Sequence, residues 1–478
     1  MTSYLPAIVT KPLSHGTDLL RSTLGSISFG PALSLSKTAV ISIFSKIEVG
    51  TLIVTDSTTG TTRSYGQKIA KEHKKTTNGV NGVNGRHGTN KAGKVSKVEL
   101  LVKKETFWVR LFLFADMGFA EAYMLGEVEC ADLTSFFQVS TSLVRGIKEM
   151  RLRNWFMNSQ LFIQNRSQLS NAATLTSSIA ATITGLARST NTLSNSLLNV
   201  SAHYDISNEM FAAFLSDDMT YSCPIWKLQS GTDEEETLEA AQMTKLNRFI
   251  DGAHIKPSDH VLEIGTGWGS FAIEAVRRTG CRVTSLTLSI EQKALAEKRI
   301  AAAGFTDNIE VLLMDYRTLP APKVLYDKVI SIEMLEAVGR EYLETYFGCI
   351  HRLLKKDGIA VFQCITMPEG RYEAYAKGED FIRKYIFPGG HLPSISQLVE
   401  NISKGSEGTL VIEKVENIGG HYAKTLRLWR ENFMKNFESR IRPALMMEHE
   451  EMGDKEVEVF RRKWEVCIPK SLVLSCSN

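Results

Sequence analysis

The stretch "VLEIGTGWGSFAIEAV", Val261 to Val276, sets the architecture. An apolar run, a turn with glycine at every second position and an amphipathic continuation read as buried strand, tight turn and helix. Four short apolar segments follow at helix-length intervals: "RVTSLTL", "IEVLLMD", "DKVISIEM" and "GIAVFQCI". The segments between them, such as "SIEQKALAEKRIAAAG", carry helical charge patterning. Strands alternating with helices predict an α/β, Rossmann-like domain, its parallel sheet covered on both faces and its ligand at the carboxyl ends of the strands. A dinucleotide fingerprint needs its third glycine at position 270, where Ser270 stands, and an acid roughly 20 residues on. "TSLTLSIEQ" offers no acid before Glu291, so a dinucleotide is disfavoured.

Upstream the pattern differs. Residues 1–44 are rich in Ser, Thr, Leu and Pro without clear period and read as an irregular N-terminal segment. "KIEVGTLIVTDSTTGTTRSYG" (46–66) has the alternation and turn of a β-hairpin. The Asn-Gly repeats of 74–97 have no flanking core and predict a flexible insert. "VELLVKKETFWVRLFLF" (98–114) resumes strand-like patterning, and 116–150 looks helical. The expected organisation is an α+β domain over 45–155, a helical connector over 156–200, the strand–helix domain over 201–465 and a divergent tail over 466–478.

A net charge of +3 on 478 residues does not point to nucleic acid. No apolar run reaches the roughly 18 residues of a spanning helix. The N-terminus lacks a signal peptide's basic start and apolar core, while its poverty in acids leaves a transit peptide open. Seven scattered cysteines, without CxxC or His/Cys ligand spacing, predict no disulfide framework, no metal and a reducing compartment. The expectation is a cytoplasmic protein whose membrane contact, if any, is peripheral.

The spacing from Glu263 through Gly265, Gly267 and Gly269 resembles the first motif of S-adenosylmethionine-dependent methyltransferases. That resemblance implies a cofactor lying on these glycines, with Glu263 near the strand end. Thr287, Leu288 and Gln292 would follow from the second strand, and Asp315 and Tyr316 from the third. Asp315 read by itself is equally a helix N-cap.

Further motifs narrow the resemblance. "HYDISNEMFAAFLSDDMTYSCPIW" (203–226), "EMLEAVG", "YIFPGGHLPS" and "NIGGHYAKTLRLW" occur in order, and "DMGFAEAYMLGEVECADL" precedes them. Over roughly residues 45–73 and 98–465 the chain resembles the cyclopropane-fatty-acyl-phospholipid synthase family, including the mycolic acid cyclopropane synthases. The resemblance implies a class I methyltransferase with a mostly parallel, seven-stranded-type sheet. It implies methylene transfer from S-adenosylmethionine to the cis double bond of a phospholipid acyl chain. The methyl must be aimed at the π system, and water must be excluded from the cation that forms. Phe211, Phe214, Tyr221, Trp226 and Trp268 are candidate cation-facing aromatics.

The family's base is a bound bicarbonate, and the matching positions are Cys223, Glu336, Gln363, Ile365 and Tyr422. Cys223 and Ile365 would offer backbone groups, Glu336 its carboxyl and Tyr422 its hydroxyl. Gln363 stands where bacterial members carry His, so it donates but does not titrate near neutrality. Tyr221 and Ser222 match the pair covering the cofactor, above Gly265, Thr266, Gly267, Trp268 and Gly269; Thr266 replaces the usual Cys. Implied partners are phospholipid acyl chains at a membrane surface, with a homodimer left open. The N-terminal domain and the helices flanking "EDFIRKYIFPGGHLP" (379–393) mix basic and apolar residues as a peripheral surface would. The tail "RKWEVCIPKSLVLSCSN" departs from the family and puts the last strand in question; "SLVLSC" is a candidate substitute strand. Alternatives are double-bond methylation without ring closure, small-amine N-methylation and an impaired lipid-binding homologue.

Overall fold

The computed structural model describes residues 29–45, 47, 50–66, 97–137, 199, 203, 206–227, 236–378 and 380–475. They fall into two compact units, one ending at Phe137 and the other beginning at Asn199. Insert residues 74–96 and connector residues 156–198 lie outside the described residues.

The first unit comprises α1 (Phe29–Phe44), β1 (Thr51–Asp56), β2 (Thr61–Gly66), β3 (Lys97–Val102), α2 (Thr106–Met124) and β4 (Val128–Cys130). Its sheet has the order β2-β1-β3-β4. The hairpin forms as expected, Thr51 opposite Gly66 through Asp56 opposite Thr61. Three expectations are corrected, the first being the helix over 116–150: α2 ends at Met124 and β4 pairs antiparallel with β3. Residues 29–44 are helical rather than irregular, with Ser36, Val40 and Phe44 buried at every fourth position. Strand patterning ends at Val102, and "TFWVRLFLF" opens α2 with Phe107 and Trp108 buried. A uniformly apolar run fits either period, so packing decided it. Lys37 Nζ and Trp108 Nε1 converge on buried Asp56 at 2.6 and 3.2 Å.

The second unit starts with α3 (Asn208–Phe214) and α4 (Leu238–Gly252). The alternating run follows: β5 (His260–Ile264), α5 (Ser270–Thr279), β6 (Arg282–Thr287), α6 (Ile290–Ala302), β7 (Ile309–Leu313), β8 (Tyr326–Ile332), α7 (Leu343–Leu353) and β9 (Leu354–Gln363). Helices α8 (Glu369–Lys377), α9 (Phe381–Tyr385), α10 (Ile395–Gly405), α11 (Gly419–Asn436), α12 (Arg442–Glu448) and α13 (Asp454–Ser475) complete it. The five expected strands form one parallel sheet, ordered β7-β6-β5-β8-β9. Its strands read as continuous apolar runs because both faces are covered. Val261, Val283 and Val311 pack on one side with Phe249 and Phe271; Leu262, Leu286 and Val329 pack on the other with Tyr346 and Ile350.

The chain runs outward from β5 through β6 to β7, then crosses back to β8 and β9. The order therefore reverses between β5 and β8, and a crevice opens there beyond the strand ends. Among the described residues the sheet carries five strands, with β9 at an edge. The tail does not supply another strand: α13 runs on to Ser475. Val457, Phe460, Trp464 and Cys467 are buried at spacings of three and four, the period of a packed helix face. Among the described residues no helix is long and apolar enough to cross a membrane.

Candidate active site

Two cavities adjoin at Tyr221, Glu333 and Ala337: one of about 150 Å³ at the carboxyl ends of β5, β6 and β7, and one of about 2180 Å³ lined by β9 from Leu354 to Gln363, by α10 and by residues 409–419. The smaller is floored by the turn after β5. Gly265, Gly267 and Gly269 have φ of 104°, 53° and 86°, which side-chain-bearing residues rarely adopt. Gly265 and Thr266 N–H both donate to Leu286 O, tying the turn to β6. Thr266 Oγ1 bonds Ser285 Oγ at 2.6 Å, and Ser285 donates to Glu263 at 2.5 Å. Burial pushes the Glu263 carboxyl up to about 8, against the Ser285 bond.

Twelve residues expected around the cofactor line this cavity: Tyr221, Ser222, Glu263, Gly265, Thr266, Gly267, Trp268, Thr287, Leu288, Gln292, Asp315 and Tyr316. Gly269 does not; it lies against Ala296 of α6. Thr287 Oγ1 bonds Gln292 Oε1 at 2.9 Å. Asp315 does act as a cap, accepting from Arg317 N, and also pairs with the Arg317 guanidinium at 2.7 Å while facing the cavity. The Trp268 indole donates to Asn208 Oδ1 at 2.7 Å, its ring 4.9 Å from Phe211.

The roof is the strap 219–223, held by two buried polar residues of α4 that sequence reasoning missed. Gln242 Nε2 donates to the Thr220 and Ser222 carbonyls at 3.3 and 2.9 Å. Lys245 Nζ donates to Ser222 Oγ at 2.5 Å. Burial draws the Lys245 amine down to about 8, with Glu333 and Asp218 pulling the other way.

All five residues expected to carry the chemistry line the larger cavity: Cys223, Glu336, Gln363, Ile365 and Tyr422. They gather around a sixth, Glu333, which the sequence reading passed over. Glu333 follows β8 directly, has a φ of 50°, and donates its N–H to Gln363 O at 2.7 Å. Its Oε1 accepts from Cys223 N at 2.9 Å and from Gln363 Nε2 at 2.8 Å; its Oε2 accepts from Tyr422 OH at 3.3 Å. The other Gln363 amide contact runs to Cys223 O at 3.0 Å. Ile365 N donates to the Glu336 carboxyl instead, leaving Glu336 Oε2 buried without a partner. Four of the five positions expected to hold bicarbonate are thus engaged by the chain's own carboxyls.

Burial raises both acids. Glu336 is driven to about 8, first by burial and then by the Glu333 charge. Burial also raises Glu333, but Cys223 N, Gln363, Lys245 and Tyr422 all favour its ionised form. Burial thus holds Glu336 protonated near neutrality, while of the two it is Glu333 whose ionised form the neighbouring donors favour. Tyr221, Glu333 and Ala337 line both cavities, so this carboxylate stands on their common wall.

Of the aromatic candidates, Phe214 and Tyr221 reach the larger cavity, whereas Phe211 and Trp268 pack in the core. Trp226 is spent on His421 O and Thr425 Oγ1 at 3.2 and 3.1 Å. Burial lowers His203 of the "HYD" segment to about 3, so it is neutral, with Nδ1 3.0 Å from Ile386 O. Within the segment 379–393, Phe381 and Ile386 are buried.

A family model described as mycolic acid cyclopropane synthetase matches residues 191–452, more than half of the chain. The chain belongs to the mycolic acid cyclopropane synthetase family. This family member is 42% identical to tuberculostearic acid methyltransferase UfaA1 of Mycobacterium tuberculosis over 275 residues, 57% of this chain and 60% of that protein. It is 32% identical to the cyclopropane-fatty-acyl-phospholipid synthase of Escherichia coli over 336 residues, 70% of this chain and 76% of that one. Among solved structures, cyclopropane synthase MmaA2 of Mycobacterium tuberculosis superposes with a TM-score of 0.50 at 26% identity, covering 58% of this chain and 94% of its own. The sheet is that of a class I S-adenosylmethionine-dependent methyltransferase.

Proposed function

We propose that this enzyme transfers the methyl carbon of S-adenosylmethionine to the cis double bond of a phospholipid acyl chain and closes a cyclopropane ring. The observation that carries the reading is the shared wall: a glycine-floored pocket and a large cavity meet at Tyr221, Glu333 and Ala337. Relatives bearing cyclopropane synthase names support the substrate class.

The smaller pocket suits the cofactor. A Cβ at Gly265 would meet Met334 at 3.2 Å and require that side chain to shift, so glycine keeps bare backbone on the pocket floor. Glu263 lines the pocket with its carboxyl raised by burial, and a cationic ligand beside it would favour the ionised form. Gly265, Gly267, Trp268, Gln292 and Asp315 would hold it, beneath Tyr221 and Ser222. S-adenosylmethionine supplies an electrophilic methyl group on a sulfonium sulfur. The residues' part is positioning and exclusion of water. Gln242 and Lys245 fix the strap, Tyr221 closes the junction, and the aromatic core around Phe211, Trp429 and Trp464 backs it.

Acyl access follows from the larger cavity. Ile395, Leu398, Val399 and Ile402 of α10 line it, together with Val411, Ile412 and Val415. Val411 and Val415 are 82% and 64% exposed, and Ile395 and Val399 are 47% and 44% exposed. Clustered exposed apolar side chains at a cavity mouth suit a bilayer surface better than bulk water.

Incubation with methyl-labelled S-adenosylmethionine and phospholipid vesicles tests the reading. Label should enter the acyl chains of cis-unsaturated vesicles and not those of saturated ones. Equal labelling of both, or labelling confined to head groups, would contradict it. A second reading, methylation without ring closure, is favoured by the likeness to an enzyme named tuberculostearic acid methyltransferase. Fragmentation of the product by mass spectrometry separates the two, because a ring and a branch break differently.

A further inference from the structure

We propose that Glu333 is the base of this reaction, its carboxylate standing where the family relies on a bound bicarbonate. The inference rests on the lipid methyl-transfer reading above. Bicarbonate needs donors, and the donor set here is spent but for one. Cys223 N–H, Gln363 Nε2 and Tyr422 OH all reach Glu333, while Ile365 N–H reaches Glu336. Of the groups expected to hold bicarbonate, Gln363 Oε1, a carbonyl oxygen, and Glu336 Oε2, on the protonated carboxyl, are left without a partner. An extra anion here would meet the Glu333 carboxylate and the Gln363 carbonyl oxygen, with the protonated Glu336 carboxyl as the one unspent donor among the groups expected to hold it. The donors that would cradle a carbonate instead cradle a side chain.

Position and backbone agree with that role. Glu333 is the carboxylate on the wall common to both cavities, beside any acyl carbon that meets the methyl donor. Its φ of 50° is a conformation that costs a glutamate on the order of 1–3 kcal/mol. It is held there by its own N–H to Gln363 O and by three donors on its carboxylate. Lys245, buried behind Ser222, adds positive charge that favours the ionised form of Glu333 against its burial.

The step balances. Once an alkene carbon carries the new methyl group, the neighbouring carbon is electron-deficient. Glu333 takes a proton from that methyl group. The C–H electron pair forms the third ring bond, leaving a neutral cyclopropane and a protonated Glu333, which then returns its proton to solvent. If a hydride first shifts from the methylated carbon to its electron-deficient neighbour, the charge moves to the carbon bearing the methyl group. Removal of a methyl proton by Glu333 then forms the double bond of a methylene branch, so the same residue serves both products.

Three proteins decide it: the full-length wild type, Glu333→Gly and Glu333→Gln, each assayed on cis-unsaturated vesicles in carbonate-free buffer and again with bicarbonate added. Glycine suits the positive φ and opens a carbonate-sized space; glutamine keeps shape but not basicity. Calorimetric binding of S-adenosylhomocysteine near the wild-type level establishes that each variant is folded. Wild-type turnover should be indifferent to bicarbonate. Both variants should lose about 10²–10⁴-fold, the usual share of a general base, and Glu333→Gly alone should recover with bicarbonate. A wild type that stops without bicarbonate, or a folded Glu333→Gln with unchanged turnover, would overturn the assignment while leaving the methyltransferase reading intact. A wild type that binds S-adenosylhomocysteine yet labels no acyl chain under either condition would overturn the reading itself.

Discussion

Gly265→Val is expected to abolish cofactor binding. At φ 104° Gly265 lies in a region closed to β-branched residues, and a Cβ would meet Met334 Cβ and Cγ at 3.2 and 3.3 Å. The backbone must rotate, and the Gly265 and Thr266 bonds to Leu286 O go with it. Strain of this kind costs on the order of 1–3 kcal/mol. The pocket floor then rises into the ligand's space, and displacement of Met334 disturbs Glu333 beside it. A loss of about 3 kcal/mol, roughly 10²-fold in Kd, is the expected minimum. Titration calorimetry with S-adenosylhomocysteine measures it. Gly304→Ala is the control: it also has positive φ, but an added Cβ there meets nothing within 4 Å. It should cost stability while leaving affinity unchanged. Equal affinity of Gly265→Val and wild type would remove the floor from the account.

The second large effect is on pH dependence. Glu336 titrates near 8 in the folded protein, driven up by burial and by Glu333, against an ordinary carboxyl value of 4.5. The folded state therefore holds a proton that the unfolded chain releases. This contribution to stability is complete below the unfolded pKa and is lost as pH rises through about 8. Glu263, also near 8, acts in the same direction. Thermal unfolding of wild type should shift to lower temperature between pH 6 and pH 8.5. Glu336→Gln, which mimics the protonated acid, should flatten part of that slope and melt above wild type at the alkaline end. Turnover should follow, falling above pH 8 in wild type, where an ionised Glu336 opposes Glu333, and falling less in the variant. Parallel melting curves across this range would show that Glu336 is not the protonated member of the pair.

What could be read from the sequence was what is decided locally. A glycine turn between an apolar run and a helix needs only neighbouring residues, so the β5 loop and its pocket were visible, as were the five strands. Cys223, Gln363 and Tyr422 were named individually, but the residue on which they converge was not. Glu333 looked like the last polar residue of "VISIE", and nothing local says that partners 110, 30 and 89 positions away meet on its carboxylate. The available signal was positional: an acid directly beyond a buried strand lies on the ligand-facing edge of the sheet. Lys245 and Gln242 were hidden for another reason. On a charged helix such residues usually face water, and only the strap packed over α4 buries them. The tail misled because "SLVLS" suits a strand by composition, whereas the buried stripe from Val457 to Cys467 carries a helix through it. Helix α1 was missed because Ser and Thr mask the period on which Ser36, Val40 and Phe44 sit.

The account's central claim is that a methyl donor in the glycine-floored pocket faces an acyl chain across a wall bearing a base. Its most direct test is mass spectrometry of cis-unsaturated phospholipid vesicles after incubation with the protein and trideuteromethyl S-adenosylmethionine. The account predicts acyl chains heavier by one CD2 unit, the third deuteron having been removed. Acyl chains carrying an intact CD3 group, or no label from a protein that binds S-adenosylhomocysteine, would contradict it.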